Sequence, residues 1–219
     1  MTAFNFEQAR YNMIEQQIRP WEVLDQRVLD TIACVPREDF VPERYRNLAF
    51  GDVAIPIGHG EFMLKPNVEG RLLQALAVRP TDRVLEVGTG SGYLTACLAR
   101  LAGSVVSVDI VPDFVEAARQ KLKTHRLSNA ALHVGDASRG WGERRYDAIA
   151  VTGSVAAVAD HWRQSLCPGG RLFVVAGQPP VMEALLITRI GEGEWLRESL
   201  FDTYLPPLRN SVTAKAFVF

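Results

Sequence analysis

Apolar side chains recur at helical spacing through much of the first third of the chain, with prolines and glycines between the repeats. The spacing predicts a polar helix over residues 7–18 and a second helix from Asp25 onwards, with the Asp25 carboxylate as its N-cap. The prolines of residues 36–42 end that second helix. Apolar residues alternate among glycines and prolines over residues 51–66, which predicts a loop or a short extended segment, and helical spacing returns over residues 67–78.

From residue 83 onwards, short apolar runs alternate with helical patterns. The predicted strands cover residues 83–87, 104–109, 131–134, 146–151 and 171–175, and the predicted helices cover residues 92–101 and 112–126, with a weak third helix that ends at Leu166. Such alternation is typical of an α/β fold, a mostly parallel sheet flanked by helices. Three strand-like segments, at residues 181–190, 194–204 and 214–219, have no helices between them, so we expect them to pair antiparallel at one edge of the sheet.

The composition is that of an ordinary globular protein, with 219 residues, 47% hydrophobic and 22% charged, and a net charge of −1. The low net charge gives no indication of a nucleic-acid partner, and the apolar runs are interrupted within about ten residues, too short to span a membrane. The three cysteines, Cys34, Cys97 and Cys167, are widely spaced, form no metal-binding pair and indicate a reducing compartment. The start of the chain shows no export signal, so we expect a cytoplasmic protein. From the spacing of the cysteines we expect no metal site.

A glycine-rich turn after the predicted strand at residues 83–87 is the strongest indication of chemistry. Gly88, Gly90 and Gly92 stand at alternate positions before a predicted helix, so a ligand could lie against bare backbone beside a helix N-terminus. Glu86 precedes the turn, and Asp109 ends the next predicted strand, about 20 residues after the first glycine. That spacing suits a carboxylate that holds two ribose hydroxyls.

The turn favours one class of nucleotide cofactor over others. It lacks the last glycine of a dinucleotide-binding fingerprint and the Gly-Lys-Ser/Thr ending of a phosphate-binding loop. No lysine or arginine occurs in residues 85–99, where a pyrophosphate or triphosphate site would offer one. Glu86 would instead attract a cation, which suits S-adenosylmethionine with its ribose, adenine, sulfonium and ammonium groups.

Residues 86–92, Glu-Val-Gly-Thr-Gly-Ser-Gly, resemble the first motif of Rossmann-like methyltransferases. The resemblance implies that the acid at the end of the second strand holds the ribose and that the Gly-Asp-Ala turn at residues 135–137 holds the adenine. A Gly-Asp pair by itself is also common in simple turns. The predicted cofactor-binding residues are Glu86, Gly88, Thr89, Gly90, Ser91, Gly92, Asp109, Ile110, Asp136 and Ala137.

Segments spread over nearly the whole chain resemble the protein-L-isoaspartate O-methyltransferase family. They are residues 12–18, 35–42, 55–60, 86–93, 146–152 and 166–170. The Val-Pro-Arg-Glu-x-Phe-Val-Pro segment and the Pro-Ile-Gly loop are the most specific of them. The resemblance implies a Rossmann-like methyltransferase that uses S-adenosylmethionine to methylate the side carboxylate of isoaspartyl residues in a peptide or protein. We expect one domain over residues 1–219, with a helical N-terminal cap and acceptor loop at 1–79 and a cofactor-binding core at 80–219.

The acceptor loop departs from the family pattern. After Pro-Ile-Gly-x-Gly the family has Gln-Thr-Ile-Ser, one further residue and Pro, whereas residues 61–66 here read Glu-Phe-Met-Leu-Lys-Pro. Phe62 and Leu64 thus replace the threonine and the serine, and the serine is the position usually assigned as catalytic. Either this loop belongs to an inactive paralogue, or the acceptor has changed, with apolar side chains lining the pocket and Lys65 supplying a cation.

The chemistry of methyl transfer leaves little for a general base to do. A carboxylate acceptor is already ionised at neutral pH, so alignment and exclusion of water suffice, whereas a hydroxyl or amine acceptor usually needs a base. Lys65 and His59, both in the acceptor loop, are the predicted catalytic residues. Isoaspartyl methylation is the leading prediction, and methylation of another acceptor or cofactor binding without transfer stay open as alternatives.

Overall fold

A computed structural model of the chain describes residues 4–211. Its N-terminal part contains α1 (Phe6–Met13), α2 (Gln26–Cys34), β1 (Ile55–Gly58), β2 (Glu61–Met63) and α3 (Pro66–Leu76). The rest contains β3 (Arg83–Val87), α4 (Tyr93–Leu101), β4 (Ser104–Asp109), α5 (Pro112–Thr124), β5 (Ala130–Val134), β6 (Tyr146–Val155), α6 (Asp160–Gln164), β7 (Leu166–Gln178), β8 (Val181–Gly191) and β9 (Glu194–Asp202). Short 3₁₀ or π turns occur at Ile14–Ile18, Arg19–Trp21, Arg37–Asp39 and Glu43–Leu48.

The N-terminal cap follows the predicted pattern with two refinements. The predicted helix over residues 7–18 is regular only to Met13 and continues as a π turn, Ile14–Ile18, and a 3₁₀ turn, Arg19–Trp21, that contains Pro20. The Asp25 carboxylate accepts a hydrogen bond of 2.8 Å from the Arg27 amide, so the predicted N-cap of α2 is confirmed. The extended segment predicted within residues 51–66 is the antiparallel hairpin of β1 and β2.

The seven-stranded sheet has the order β5-β4-β3-β6-β7-β8-β9. The first five strands of this order are parallel, and β8 and β9 add antiparallel at one edge, as the absence of helices between those segments predicts. β7 begins earlier than the predicted residue 171, because Leu166 pairs with Tyr146 before the register shifts in the Pro-Gly-Gly turn. The predicted strand at residues 214–219 lies outside the described residues.

Both faces of the sheet are buried, which explains why its central strands read as continuous apolar runs. Neighbouring residues in β3 point to opposite sides: Val84 packs with the N-terminal helices and α4, and Leu85 packs with the layer that contains Trp162 of α6. The α/β, Rossmann-like fold with a helical N-terminal cap is therefore confirmed. Within residues 4–211, no helix has both the length and the apolar character needed to cross a membrane.

The strand order places a crevice at the carboxyl ends of the central strands. From β3 the chain runs outward to β4 and β5, then returns to the opposite side of β3 as β6. The loops that follow β3 and β6 therefore diverge at the carboxyl ends of these strands, which is where parallel sheets bind ligands.

Candidate functional site

A cleft opens at the carboxyl ends of β3, β4 and β6. It is lined by the glycine-rich turn, the end of β4, the turn after β5, the β1–β2 hairpin and the chain after β9. The lining includes Ile57, Glu61, Phe62, Leu64, Gly88, Gly90, Asp109, Ile110, Asp136, Ala137, Thr152 and Arg209. Six of the predicted cofactor-binding residues therefore line this cleft: Gly88, Gly90, Asp109, Ile110, Asp136 and Ala137. Glu86, Thr89 and Ser91 line a smaller cavity beside it.

The turn after β3 consists largely of bare backbone, because glycine occupies positions where the surrounding atoms leave no room for a side chain. Gly88 has φ +97°, and a Cβ there would lie 2.1 Å from the Thr152 hydroxyl oxygen. That hydroxyl donates to the Gly88 carbonyl oxygen at 2.9 Å. Gly92 caps α4 with φ +83°, and a Cβ there would lie 2.8 Å from the Ala118 Cβ. These positions require glycine for conformation and for space.

Glu86 is fully buried beneath the turn with one carboxyl oxygen unused. Its Oε2 accepts hydrogen bonds from the hydroxyls of Thr95 and Ser107, the latter at 2.6 Å. Its Oε1 is buried and has no hydrogen-bond partner among the described residues. Burial raises the pKa of Glu86 to about 8, although the two hydroxyl hydrogen bonds oppose the rise. An unused acceptor at such a depth is suited to a cationic donor.

Asp109 is held at the end of β4 by two backbone hydrogen bonds. Its Oδ2 accepts from the Gly90 amide and its Oδ1 from the Val111 amide, each at 2.9 Å. Burial raises the pKa of this carboxyl, and the two amide hydrogen bonds act against that rise. Since each carboxylate oxygen can accept more than one hydrogen bond, Asp109 keeps acceptor capacity toward the cleft.

The turn after β5 presents a third carboxylate. Asp136 Oδ1 accepts from the Ser138 amide and Oδ2 from the Asn210 side-chain amide, each at 2.9 Å. Burial alone would raise the pKa of Asp136, but these hydrogen bonds outweigh it and lower the pKa. Beside it Ala137 is buried and Ile110 is 37% exposed, so both offer apolar surface to the cleft.

Two of the predicted cofactor-binding residues use their hydroxyls inside the protein. The Thr89 hydroxyl lies 2.6 Å from that of Ser107, and the Ser91 hydroxyl accepts from the Tyr93 amide at 3.2 Å. Both residues line the smaller cavity, so the contacts they can offer a ligand there come mainly from backbone.

The acceptor loop is apolar toward the cleft and is held from behind by a buried arginine. Phe62 and Leu64 both line the cleft. The Leu64 carbonyl oxygen accepts a hydrogen bond of 2.6 Å from Arg37, which is fully buried, also donates to the Ala49 carbonyl oxygen and pairs with Glu69. The arginine of the Val-Pro-Arg-Glu segment therefore fixes the backbone of this loop.

The two predicted catalytic residues lie at the edge of this arrangement. The Lys65 ammonium is 3.6 Å from the Asp52 carboxylate, and His59 Nε2 is 2.9 Å from the Asp113 carboxylate. Among the described residues that line the cleft and the smaller cavity, neither Lys65 nor His59 is included. Their catalytic roles stay predictions.

Sequence reasoning missed the chain that crosses the cleft, residues 206–210, which we term the closing segment. The Leu208 amide donates to the Ser154 carbonyl oxygen at 2.8 Å. The Asn210 side-chain amide donates a hydrogen bond to Asp136 in the turn after β5. The neighbouring residue, Arg209, pairs with Glu61 of the β1–β2 hairpin. The segment has no periodic pattern, and its two adjacent prolines were the one local signal of an irregular, extended path.

Comparison with known proteins assigns a family. Residues 8–209 match the family model described as protein-L-isoaspartate(D-aspartate) O-methyltransferase. A protein-L-isoaspartate O-methyltransferase of Rhodopseudomonas palustris is 37% identical over 198 residues, covering 90% of this chain and 91% of the relative. A second, protein-L-isoaspartate O-methyltransferase 1 of an Anaeromyxobacter species, is 40% identical over 189 residues, covering 85% of this chain and 89% of the relative.

The fold is also similar to that of a solved structure. A Plasmodium falciparum protein described as a protein-L-isoaspartate O-methyltransferase, crystallised with S-adenosyl-L-homocysteine, superposes with a TM-score of 0.80 at 22% identity. The match covers 94% of this chain and 99% of that one. At this identity the likeness concerns the fold.

Proposed function

Since the chain belongs to the protein-L-isoaspartate(D-aspartate) O-methyltransferase family, we propose that it transfers a methyl group from S-adenosylmethionine to the side carboxylate of isoaspartyl residues in proteins or peptides. The observation that carries the proposal is the cleft itself. There bare glycine backbone, the carboxylates of Asp109 and Asp136, and the buried Glu86 carboxyl, one oxygen of which has no partner among the described residues, lie at the carboxyl ends of parallel strands.

The residues present fit that cofactor. Glu86 Oε1 is a buried acceptor with no partner among residues 4–211, and the ammonium of an amino-acid moiety would supply the missing donor. No lysine or arginine occurs in residues 85–99, so the turn offers no charge to a pyrophosphate. Gly88 and Gly90 have positive φ and leave the backbone accessible to a ligand. When bound, S-adenosylmethionine supplies the reactive methyl group on a sulfonium.

In the proposed assignment each polar group of the cleft has a separate task. Glu86 pairs with the ammonium end, Asp109 accepts from the ribose hydroxyls, and Asp136 and Ala137 contact the adenine. Thr89 and Ser91 border the amino-acid end through backbone. Thr152, whose hydroxyl bonds the Gly88 carbonyl oxygen, keeps the turn in its binding conformation.

The acceptor side needs orientation rather than proton transfer. A carboxyl with a pKa of roughly 4 is ionised at neutral pH, so no base has to remove a proton. Phe62 and Leu64 form an apolar wall beside the cleft, which excludes water from the nucleophilic oxygen. The chain contributes alignment and desolvation, the two effects by which a displacement of this type is accelerated.

Methylation of another acceptor is the second candidate, and the same apolar wall is the observation that favours it. A wall without hydroxyls binds an apolar or uncharged acceptor more readily than a carboxylate. The test is a methyl-transfer assay with an isoaspartyl peptide and its aspartyl twin of the same sequence. We expect a base-labile methyl ester on the isoaspartyl peptide alone. Bound cofactor without ester on either peptide would favour a different acceptor.

A further inference from the structure

The cleft contains one strong cation in the part of the chain that the structure describes. Arg209, in the closing segment, is the only lysine or arginine among the residues of 4–211 that line it. Its Nε lies 2.8 Å from Glu61 Oε1, and its Nη2 donates to the His59 carbonyl oxygen at 2.6 Å. These two bonds fix the guanidinium plane against the β1–β2 hairpin.

The fixed guanidinium still has unused donors. An arginine carries five N–H groups, and the two bonds to the hairpin use one on Nε and one on Nη2. Nη1 makes no hydrogen bond to any described residue, and the Arg209 side chain is 44% exposed. An arginine oriented by two anchors with free donors is preorganised for a carboxylate.

The wall formed by Phe62 and Leu64 lacks such donors. Phe62 and Leu64 stand where the family pattern has hydroxyl residues, and neither side chain can donate a hydrogen bond. A carboxylate that enters an apolar site without a donor loses its hydration with no compensation. If a carboxylate is the acceptor, its charge must be met by another element, and Arg209 lines the same cleft as Phe62 and Leu64.

We propose that Arg209 binds the isoaspartyl carboxylate in this chain, in place of the missing loop hydroxyls. The inference rests on the proposed function and names the residue that recognises its acceptor. One carboxylate oxygen accepts from the guanidinium, and the other is free to attack the methyl carbon, so that the O–CH₃ bond would form as the S–CH₃ bond of bound S-adenosylmethionine breaks and S-adenosylhomocysteine leaves. Arg209 thus determines specificity for a charged acceptor over its uncharged amide.

Glu61 then acts against acceptor binding, because its charge partly neutralises the guanidinium. The charges of both residues reach the cofactor end of the cleft. Burial raises the pKa of Asp109 most, and beyond burial Glu61 raises it further whereas Arg209 lowers it. Removal of the Glu61 charge should therefore strengthen binding of an anionic acceptor, and removal of the Arg209 charge should weaken it.

If Arg209 recognises the acceptor, loss of the Arg209 charge and loss of the Glu61 charge change peptide affinity in opposite directions. Loss of either partner of a purely structural ion pair would change it in the same direction. The full-length protein is saturated with S-adenosylhomocysteine, and dissociation constants for an isoaspartyl peptide are measured by calorimetry. We expect Arg209→Gln to weaken binding about tenfold or more, Arg209→Lys to weaken it less, and Glu61→Gln to strengthen it. Binding of the peptide whose free carboxyl is replaced by an amide should change little in all three variants.

Arg197→Gln is the matched control, because Arg197 forms an exposed pair with Glu183 in the antiparallel part of the sheet and does not line the cleft. If Arg209→Gln and Glu61→Gln both weaken binding, or if the charged and amide peptides respond alike, the ion pair is structural and the inference is wrong. A wild type that methylates isoaspartate, with an Arg209→Gln variant that binds it equally well, would refute this inference alone. A wild type that binds neither peptide would refute the proposed function as well.

Discussion

Glu86→Gln should raise the stability of the free protein and lower its affinity for the cofactor. The carboxyl is buried, one of its oxygens has no partner among residues 4–211, and its pKa is raised to about 8 by burial. The substitution keeps the size of the side chain and an oxygen that can accept from Thr95 and Ser107. It removes the charge that we assign to binding the ammonium of S-adenosylmethionine.

The raised pKa makes ionisation of Glu86 unfavourable in the free protein. The carboxyl has an ordinary pKa of 4.5 and a folded pKa of about 8. Its contribution to the free energy of unfolding is therefore fully present below pH 4.5 and is lost as the pH rises toward 8. At 1.36 kcal/mol per pH unit, the loss between pH 5 and pH 7.5 is roughly 3 kcal/mol. Glutamine does not titrate, so the variant should gain that amount relative to wild type over this range.

Cofactor binding should respond in the opposite direction. A hydrogen bond to a charged group contributes about 1.5–3 kcal/mol, so the loss of the carboxylate should weaken binding by roughly 10- to 150-fold at pH 7.5. In wild type, ionised Glu86 is a minor species at pH 6, so affinity should rise nearly tenfold per pH unit between pH 6 and pH 7.5. The affinity of the variant should be nearly constant over that range.

The assay combines denaturant unfolding of the free protein with calorimetric titration of the cofactor, each at several values from pH 5 to pH 7.5. Glu116→Gln serves as the control, because Glu116 is exposed on α5 and interacts with its helix neighbours Arg119 and Gln120. Equal cofactor affinity in wild type and Glu86→Gln at pH 7.5 would refute the ammonium assignment. A stability difference that does not change with pH would refute the raised pKa.

Three further substitutions test the rest of the site. Asp109→Ala should weaken cofactor binding by about 1–3 kcal/mol in calorimetry, since it removes a charged acceptor, and an unchanged affinity would exclude the ribose assignment. Leu64→Ser should raise turnover with the isoaspartyl peptide by roughly tenfold, because one hydrogen bond to the acceptor is restored, and a fall in turnover would show that the apolar wall is needed. Lys65→Ala should lower turnover and leave cofactor affinity nearly unchanged, as the predicted acceptor role of Lys65 requires, and a turnover changed less than about twofold would count against that role, since Lys65 pairs with Asp52 outside the cleft lining.

Local patterns predicted the parts of the fold and site that depend on neighbours in sequence. The strand, glycine turn and helix around Gly88 could be placed from periodicity and from the conformations that glycine alone adopts. Asp109 was placed by its position at the end of an apolar strand, and Asp136 by a turn motif. The early start of β7 was missed because Pro168 and its two glycines indicate a turn, whereas pairing with β6 extends the strand through them.

The residues that sequence reasoning missed depend on contacts between distant parts of the chain. Thr152 bonds a carbonyl oxygen 64 residues earlier, and Arg209 pairs with a carboxylate 148 residues earlier. No periodicity or motif carries such information. The cations show the same limit: Lys65 is the one basic residue of its segment and so the cation that the sequence indicates, whereas only the fold shows that Arg209 lines the cleft.

The most direct test of the central claim is the ratio of kcat/KM for an isoaspartyl peptide to that for its aspartyl twin, measured as methyl ester formed by the wild-type protein from S-adenosylmethionine. Because the two peptides have the same composition, the ratio isolates recognition of the rearranged residue. The proposed function predicts ester on the isoaspartyl peptide, at a ratio of about 100 or more, even if absolute turnover is slowed by the missing loop hydroxyls. Equal rates on both peptides, or no ester on either while the cofactor binds, would contradict it.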